Sequence, residues 1–281
     1  MIYLNGKFLP AEQACVPVLD RGFIFGDGVY EMIPVYGNKL FRLDEHLRRL
    51  QNSLDAVRIP NPLSPSEWDS MLNELIQRNG GGDLSLYFQV TRGSALRDHA
   101  MPENPTPTLY AMCNPLKAPA PEVLEKGVAA ITREDIRWQR CHIKAISLLP
   151  NILLRQEAVD QGAAETILIR DGHATEGAAS NIFVVIDGVL CTPPKGPMLL
   201  PGITRDLILE LAVANDIAHC EQNISPNDLV AADEIWLTSS TKEILPVTQL
   251  DNSPVANGQP GPLFHQMTAL YQSYKQHLRA Q

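Results

Sequence analysis

A stretch rich in proline and alanine near the middle of the chain limits what the whole sequence can fold into. This stretch, residues 114–122, reads "NPLKAPAPE". Proline fixes φ and removes a backbone donor, so it interrupts regular structure and is common in linkers. The 281 residues are enough for two ordinary domains. The sequence therefore predicts a small N-terminal domain over 1–114, a linker over 115–121 and a larger C-terminal domain over 122–281.

Hairpins dominate the predicted secondary structure. Asparagine or aspartate next to glycine, between two β-prone runs, is the typical signal of a tight hairpin turn. Such pairs lie at Asn5-Gly6, Gly37-Asn38, Asp171-Gly172 and Asp187-Gly188. Amphipathic helices are predicted near 43–57 and 65–78. Because strands outnumber crossover helices, the predicted fold class is α+β rather than a doubly wound sheet.

Charge and composition exclude several classes of function. The net charge is −9, and basic residues form only short pairs such as Arg48-Arg49, so we expect no nucleic-acid binding. No apolar run approaches the ~20 residues that span a bilayer, and the N-terminus indicates a hairpin rather than a secretion signal. No glycine-rich nucleotide-binding motif is present. The five cysteines are odd in number and scattered, which predicts reduced thiols, a cytoplasmic location and no metal site.

Lys144 interrupts an otherwise apolar, strand-like run. In "RCHIKAISLLPN", residues 140–151, alternation places Lys144 on the opposite face of a predicted strand from Ile143 and Ala145. Burying an unpaired ammonium is costly, so either this strand is an edge and the amine reaches water, or the amine has a chemical role. A partly desolvated lysine has a pKa below the usual ~10.4 and is a good nucleophile for aldehydes.

Glu176 is a candidate partner for an aldehyde cofactor, pyridoxal phosphate. That cofactor needs an anion near its pyridine nitrogen, a phosphate site and a site for the substrate carboxylate. Glu176 lies in "ATEGAASN", residues 174–181, among small residues that let a flat ring approach closely. The alternative is a solvated loop glutamate.

The sequence also offers candidates for the two anion sites. In "LLPGITRD", residues 199–206, a helix begins near Gly202, and its free N–H groups with the Thr204 hydroxyl suit a phosphate. The hydroxyls of "TSST", residues 238–241, and the charge of Arg49 add to this set. Ordinary helix caps and turns are the alternative.

A loop that contains Arg97 and His99 is the candidate carboxylate site. Both residues lie in "VTRGSALRDHAMPEN", residues 90–104, and an arginine binds a carboxylate through two parallel hydrogen bonds. Tyr30, in "FIFGDGVYE", can donate a further hydrogen bond. A surface ion pair and a core tyrosine are the respective alternatives.

Together these segments resemble the fold-type IV, or class IV, pyridoxal-phosphate-dependent aminotransferases, most closely the bacterial D-amino acid (D-alanine) transaminases. The resemblance covers nearly the whole chain, with "DRGFIFGDGVYE", "EDIRWQRCHIK", "TEG…SN" and "GITRD" in the family's order. The Arg97-x-His99 loop favours the D-amino acid branch over branched-chain aminotransferases and aminodeoxychorismate lyases.

The resemblance implies a fold and a set of site residues. The fold has a small N-terminal α/β domain and a larger C-terminal domain with a β-barrel-like core. Lys144 forms the Schiff base with pyridoxal phosphate, and Glu176 binds the pyridine nitrogen. The other cofactor residues are Arg49, Ile203, Thr204, Ser239 and Ser240 at the phosphate and Leu200 against the ring. Tyr30, Arg97 and His99 bind the substrate carboxylate, the last two from the partner subunit of a homodimer.

The implied reaction moves an amino group between D-amino acids, such as D-alanine and D-glutamate, and 2-oxo acids, such as 2-oxoglutarate and pyruvate. No metal is implied. The alternatives are an aminodeoxychorismate lyase, an L-branched-chain aminotransferase, and a protein that binds the cofactor without turnover. Ala178 and Ala179 stand where close relatives carry serines, which leaves the range of amino donors open.

Overall fold

The computed structural model describes residues 1–280 and divides into two compact units. The first unit comprises Met1–Lys117, Ile143–Leu148 and the residues from 278 to 280. The second unit comprises Ala118–His142 and Leu149–His277. Both units are therefore discontinuous along the chain. The division into independently folding domains at residues 115–121 stays a prediction.

The first unit is built around one antiparallel sheet. Its strands are β1 (Ile2–Leu4), β2 (Lys7–Leu9), β3 (Gly28–Tyr36), β4 (Lys39–Leu40), β5 (Leu84–Thr91) and β6 (Thr108–Pro115), and its helices are α1 (Arg21–Phe25), α2 (Leu43–Val57) and α3 (Pro65–Arg78). The strand order is β2-β1-β6-β5-β3-β4. A short 3₁₀ helix follows β2.

Local sequence explains most of these elements. The predicted turns have the left-handed backbone that their residues favour, with φ of 46° and 86° at Asn5 and Gly6. Ser64 begins α3 with a reciprocal capping box, in which Ser64 and Glu67 bond to each other's backbone N–H. The apolar faces of α2 and α3 pack with the sheet into one core. The predictions of helices at 43–57 and 65–78 are confirmed.

The strand predicted over residues 140–146 is wrong. The structure has a single antiparallel bridge there, between Val29 and Ala145. A tight turn in which the Ala145 N–H donates to the Ile143 carbonyl, at 2.8 Å, ends the extended run. The alternation in burial nevertheless holds, since Ile143 and Ala145 are buried and Lys144 is half-buried. The alternating pattern predicted which side chains are buried. It did not predict that the backbone lacks the hydrogen-bond partners of a strand.

The second unit contains the larger sheet. Its strands are β7 (Val128–Glu134), β8 (Glu165–Arg170), β9 (His173–Gly177), β10 (Asn181–Ile186), β11 (Val189–Thr192), β12 (His219–Glu221), β13 (Glu234–Ser239), β14 (Glu243–Leu250) and β15 (Ser253–Pro254). Its helices are α4 (Pro121–Lys126), α5 (Leu149–Asp160), α6 (Ile203–Ala214), α7 (Pro226–Ala231) and most of α8 (Pro262–Ala280).

The larger sheet curls into a half-barrel. Its strand order is β12-β11-β10-β13-β14-β7-β8-β9, with β15 beside β14. The turn after β9 leads directly into β10, where the Gly177 N–H donates to the Ser180 carbonyl at 2.7 Å. β9, the last strand in this order, thus lies next to β10, which is inside the order. The predicted α+β fold with a barrel-like core is confirmed. None of the helices within residues 1–280 is long and apolar enough to cross a membrane.

Candidate active site

In the first unit, the backbone of Lys144 is fixed from two sides. The Tyr30 N–H on β3 donates to the Lys144 carbonyl at 2.9 Å, and the Lys144 N–H donates to the Ser53 hydroxyl on α2 at 3.2 Å. The Lys144 Nζ lies 4.2 Å from the centre of the Tyr30 ring. The first unit therefore brings together the predicted Schiff-base lysine and one predicted substrate residue.

The next residue of β3, Glu31, anchors a buried cluster on the opposite face of the strand. Arg49 donates to Glu31 through Nε at 2.8 Å and through Nη2 at 2.7 Å. The Nδ1 of His46 lies 2.7 Å from the same carboxylate. Glu31 and His46 are fully buried and Arg49 is 6% exposed. The orientation of Arg49, a predicted phosphate ligand, is thus set by a carboxylate that sequence reasoning missed.

Charge in this cluster is concentrated on Glu31 and Arg49. Burial acts to raise the pKa of Glu31, but Arg49 and His46 outweigh it and hold that pKa far below the usual range. Burial is also the main reason why the pKa of His46 is lowered, which favours the neutral ring. Because the carboxylate only accepts, Nδ1 carries the proton. The buried Nε2 has no hydrogen-bond partner among residues 1–280.

Arg97 and His99 form a separate group within the first unit. Both side chains are exposed. The Arg97 guanidinium lies 5.4 Å from the centre of the Phe25 ring, and the His99 ring lies 5.6 Å from it. The loop therefore presents the two predicted carboxylate ligands to the outside, around one aromatic side chain.

In the second unit, Glu176 is a buried residue of β9, so the alternative of a solvated loop glutamate is wrong. Its carboxylate accepts three hydrogen bonds: from Arg137 Nη1 at 2.5 Å, from Asn181 Nδ2 at 3.1 Å, and from the Leu200 N–H at 3.0 Å. A carboxyl group surrounded by donors is suited to remaining an anion.

Arg137 belongs to a wider network of charges that sequence reasoning did not identify. Its Nε and Nη2 donate to Asp135, each at 2.9 Å, and Arg170 contacts the same carboxylate at 3.1 Å. The signal in the sequence was the spacing of Asp135 and Arg137, two residues apart, which places both on one face of an extended segment. Their link to Glu176 joins residues far apart in the chain and is not visible in a local pattern.

The pKa of Glu176 reflects two opposed effects. Burial raises it to about 7, and the nearby Arg137 guanidinium acts in the opposite direction. The protonation state of Glu176 near neutral pH therefore depends on how firmly Arg137 is held. A protonated pyridine nitrogen next to this carboxylate would add a further positive charge and lower its pKa.

The predicted phosphate residues of the second unit lie on two elements: Ile203 and Thr204 begin α6, and Ser239 and Ser240 lie at the end of β13. Gly202 precedes this helix without a side-chain cap. A Cβ at Gly202 would approach Asn181 Oδ1 to 1.9 Å, so the Asn181 side chain leaves no room for a larger residue there. The Thr204 hydroxyl is buried and has no hydrogen-bond partner within residues 1–280. Ser239 ends β13 and is followed by Ser240, and both are half-buried.

These residues fit the requirements of pyridoxal phosphate. The orphaned hydroxyl of Thr204 and the uncapped N–H groups of α6 are donors suited to a phosphate oxygen. Within the second unit, Glu176 is a carboxylate of the kind that a protonated ring nitrogen requires. Lys144, in the first unit, is an amine of the kind that bonds an aldehyde. No group of three or more metal-ligating side chains is present in the described part of the chain.

Ala178 and Ala179 differ in their surroundings. Ala178 is 2% exposed and packs with Leu154 and Leu168, whereas Ala179 is exposed. A serine at 178 would place a hydroxyl in an apolar cluster, so the missing hydroxyl there is compatible with local packing.

Comparisons with known protein sequences agree on one family. The amino-transferase class IV family model matches residues 28–250. The chain is 42% identical to the D-alanine aminotransferase of Bacillus licheniformis over 262 residues, covering 93% of this chain and 92% of that protein. It is 38% identical to the D-alanine aminotransferase of Staphylococcus epidermidis over 276 residues, covering 98% of each.

Solved structures of branched-chain aminotransferases have the same fold. The branched-chain amino acid aminotransferase of Escherichia coli superposes with a TM-score of 0.91 at 30% identity, covering 97% of this chain and 93% of that chain. A second branched-chain amino acid aminotransferase, from T.th. and with pyridoxamine 5'-phosphate, gives a TM-score of 0.92 at 29% identity, with 98% and 93% covered.

Proposed function

The chain belongs to the class IV aminotransferase family, and we propose that it uses pyridoxal phosphate to move an amino group between D-amino acids and 2-oxo acids. The observation that carries the choice of D-amino acids is the similarity to D-alanine aminotransferases over nearly the whole length of both chains. D-Alanine and 2-oxoglutarate are the proposed pair, with pyruvate and D-glutamate as products.

Lys144 has two tasks in this proposal. When bound, pyridoxal phosphate supplies an aldehyde that bonds an amine and a protonated ring that withdraws electrons from the substrate Cα. Lys144 holds the cofactor at rest and, once freed by the amino donor, its Nζ removes the proton from the substrate Cα. The Lys144 carbonyl accepts a hydrogen bond from the Tyr30 N–H, and the Lys144 N–H donates to the Ser53 hydroxyl. Both bonds support this role, because they restrict where the amine can move.

Glu176 holds the proton on the pyridine nitrogen. Arg137, Asn181 and the Leu200 N–H orient its carboxylate, and the charge of Arg137 favours the anion. The N–H groups at the start of α6 and the hydroxyls of Thr204, Ser239 and Ser240 bind the phosphate. Arg49, oriented by Glu31, adds positive charge to the same group, and Leu200 packs against the ring.

We propose that the enzyme is a homodimer in which Arg97 and His99 bind the substrate carboxylate of the neighbouring subunit, together with that site's Tyr30. Their exposure supports this assignment. Large apolar side chains are exposed nearby in sequence, with Val18 at 73%, Phe23 at 77% and Leu96 at 84%, as expected of a surface that a partner covers. A cytoplasmic location is also part of the proposal, supported by five free thiols.

A panel of substrates tests the reaction. D- and L-alanine and D- and L-leucine are each assayed with 2-oxoglutarate, D- and L-glutamate with pyruvate, and aminodeoxychorismate alone. We expect the D-enantiomers to be converted and aminodeoxychorismate to be left intact. A preference for L-leucine would favour the branched-chain alternative, which is the activity named for the solved structures that share this fold. Pyruvate released from aminodeoxychorismate alone would indicate the lyase.

Covalent trapping tests the cofactor assignment. Borohydride reduction of the yellow holoenzyme should attach the cofactor to the peptide that contains Lys144. Lys195, an exposed lysine of the second unit that bonds Asp206, serves as the internal control. Attachment at any lysine other than Lys144 would show that the assignment is wrong.

A further inference from the structure

Two cysteines that lie far apart in the sequence are in contact within the second unit. Cys191 on β11 and Cys220 on β12 are paired directly across these parallel strands. Their sulfur atoms are 3.2 Å apart, although 29 positions separate the residues. All five cysteines are free thiols in this structure. A separation at or below van der Waals contact allows the two sulfurs to bond after a small movement.

The two thiols have unequal surroundings. Cys191 is 2% exposed, whereas Cys220 is half-buried on β12, at the end of the strand order. Burial, together with the neighbouring Cys220, raises the pKa of Cys191 to about 12. Cys191 is therefore a poor first nucleophile, and its sulfur accepts a weak hydrogen bond from Gln222 Nε2 at 3.4 Å. An oxidant from solvent meets Cys220 first.

We propose that Cys191 and Cys220 form a reversible disulfide when the enzyme meets a low-molecular-weight disulfide such as oxidised glutathione. The Cys220 thiolate attacks one glutathione sulfur, and the other glutathione leaves as a thiolate. The Cys191 sulfur, losing its proton to solvent, then attacks the Cys220 sulfur and expels the second glutathione thiolate. Two protein thiols lose two electrons and two protons, and one glutathione disulfide is reduced to two thiols.

The disulfide would close a loop that contains the whole of α6. Arg205 on this helix is fully buried. Its Nη2 donates to the carbonyl of Pro193, the residue after β11, at 2.8 Å, and to Glu221 on β12 at 2.5 Å. Glu221 directly follows Cys220. Oxidation therefore adds a covalent bond between β11 and β12, which are already paired in the folded protein. The same bond restricts the conformations of the unfolded chain.

Peptide mapping after oxidation tests the proposal. The holoenzyme is incubated with oxidised glutathione, free thiols are alkylated, and tryptic peptides are analysed by mass spectrometry. We expect a cross-link between the peptides of Cys191 and Cys220, a mass loss of two hydrogen atoms, and alkylation of the other cysteines. The unfolding midpoint should rise by several degrees and return to its first value with dithiothreitol.

Two variants serve as controls. Cys15→Ser changes an exposed cysteine and should cross-link as the wild type does. Cys220→Ser should form no cross-link, and its midpoint should not respond to oxidised glutathione. Should Cys220→Ser fail to fold, Cys220→Ala replaces it. The proposal is wrong if both residues are recovered alkylated, or if Cys220 stays a mixed disulfide with glutathione while Cys191 remains a free thiol.

Discussion

The Nη1 atom of Arg137 lies 2.5 Å from Oε1 of Glu176, and the same guanidinium binds Asp135 through its other two nitrogens. Asp135 fixes Arg137 in place, and Arg137 in turn opposes the effect of burial on Glu176. Burial opposes the charged form of Asp135 as well, but Arg137 and Arg170 keep its pKa below the usual value. The charge of Glu176 thus depends on Arg137 and, through Arg137, on Asp135.

Replacing Arg137 should move the pH dependence of the reaction. In Arg137→Gln the anion of Glu176 loses its main support, so the pKa of Glu176 rises and the acidic limb of the kcat/KM profile shifts to higher pH. Activity at neutral pH should fall at least tenfold. Arg170→Gln is the matched control, because Arg170 contacts Asp135 but makes no bond to Glu176 within the described residues. A profile in Arg137→Gln that coincides with the wild-type profile would contradict the role.

Glu176 should make the cofactor-free protein less stable as the pH rises. Its pKa is about 7 in the folded protein and about 4.5 in the unfolded chain, so between these values the folded state holds more protons. The free energy of unfolding therefore decreases as the pH rises from about 4.5 to about 7, by about 3 kcal/mol from this group. Glu176→Gln lacks this dependence. Urea unfolding of both proteins at pH 5 and pH 8 measures it, and equal pH dependence would count against the raised pKa.

Glu31→Gln should destabilise the protein strongly. The substitution nearly preserves shape but removes the negative charge that faces the buried Arg49, which costs about 3–5 kcal/mol in comparable buried pairs. Glu45→Gln is the control, because the pair that Glu45 forms with Arg42 is partly exposed and is worth less than about 1 kcal/mol. Chemical denaturation compares the three proteins. Equal losses of unfolding free energy in the two variants would mean that the buried contacts of Glu31 with α2 contribute no more to stability than the partly exposed pair.

Mixed dimers test whether the carboxylate ligands cross between subunits. Arg97→Ala removes a charge-assisted contact worth about 2–3 kcal/mol and should raise KM for D-alanine by tens of fold. Lys144→Ala should be inactive. In a dimer of one chain of each kind, one site carries both lesions and the other carries neither, so activity should return in part. Mixed dimers that form and remain inactive would place the whole carboxylate site within one chain.

The sequence predicted local features well and long-range contacts poorly. The turn at Asn5-Gly6 and the limits of α2 and α3 follow from neighbouring residues, and the structure has them where they were predicted. The strand at Lys144 was wrong because periodicity reports the face of a side chain and not the partners of the backbone. The contacts of Arg137 with Glu176 and of Cys191 with Cys220 depend on the register of strands distant in sequence, which no local pattern encodes.

The discontinuity of the first unit sets an order for its assembly during synthesis. The N–H of Tyr30 and the carbonyl of Gly28 bond to Lys144 and Ile146, which lie in the segment Ile143–Leu148. As the chain emerges from the ribosome N-terminus first, β3 is made long before these partners. By the time that they appear, residues 118–142 of the second unit have already been made. Placing Lys144 against β3 is therefore a late event in the biogenesis of the enzyme.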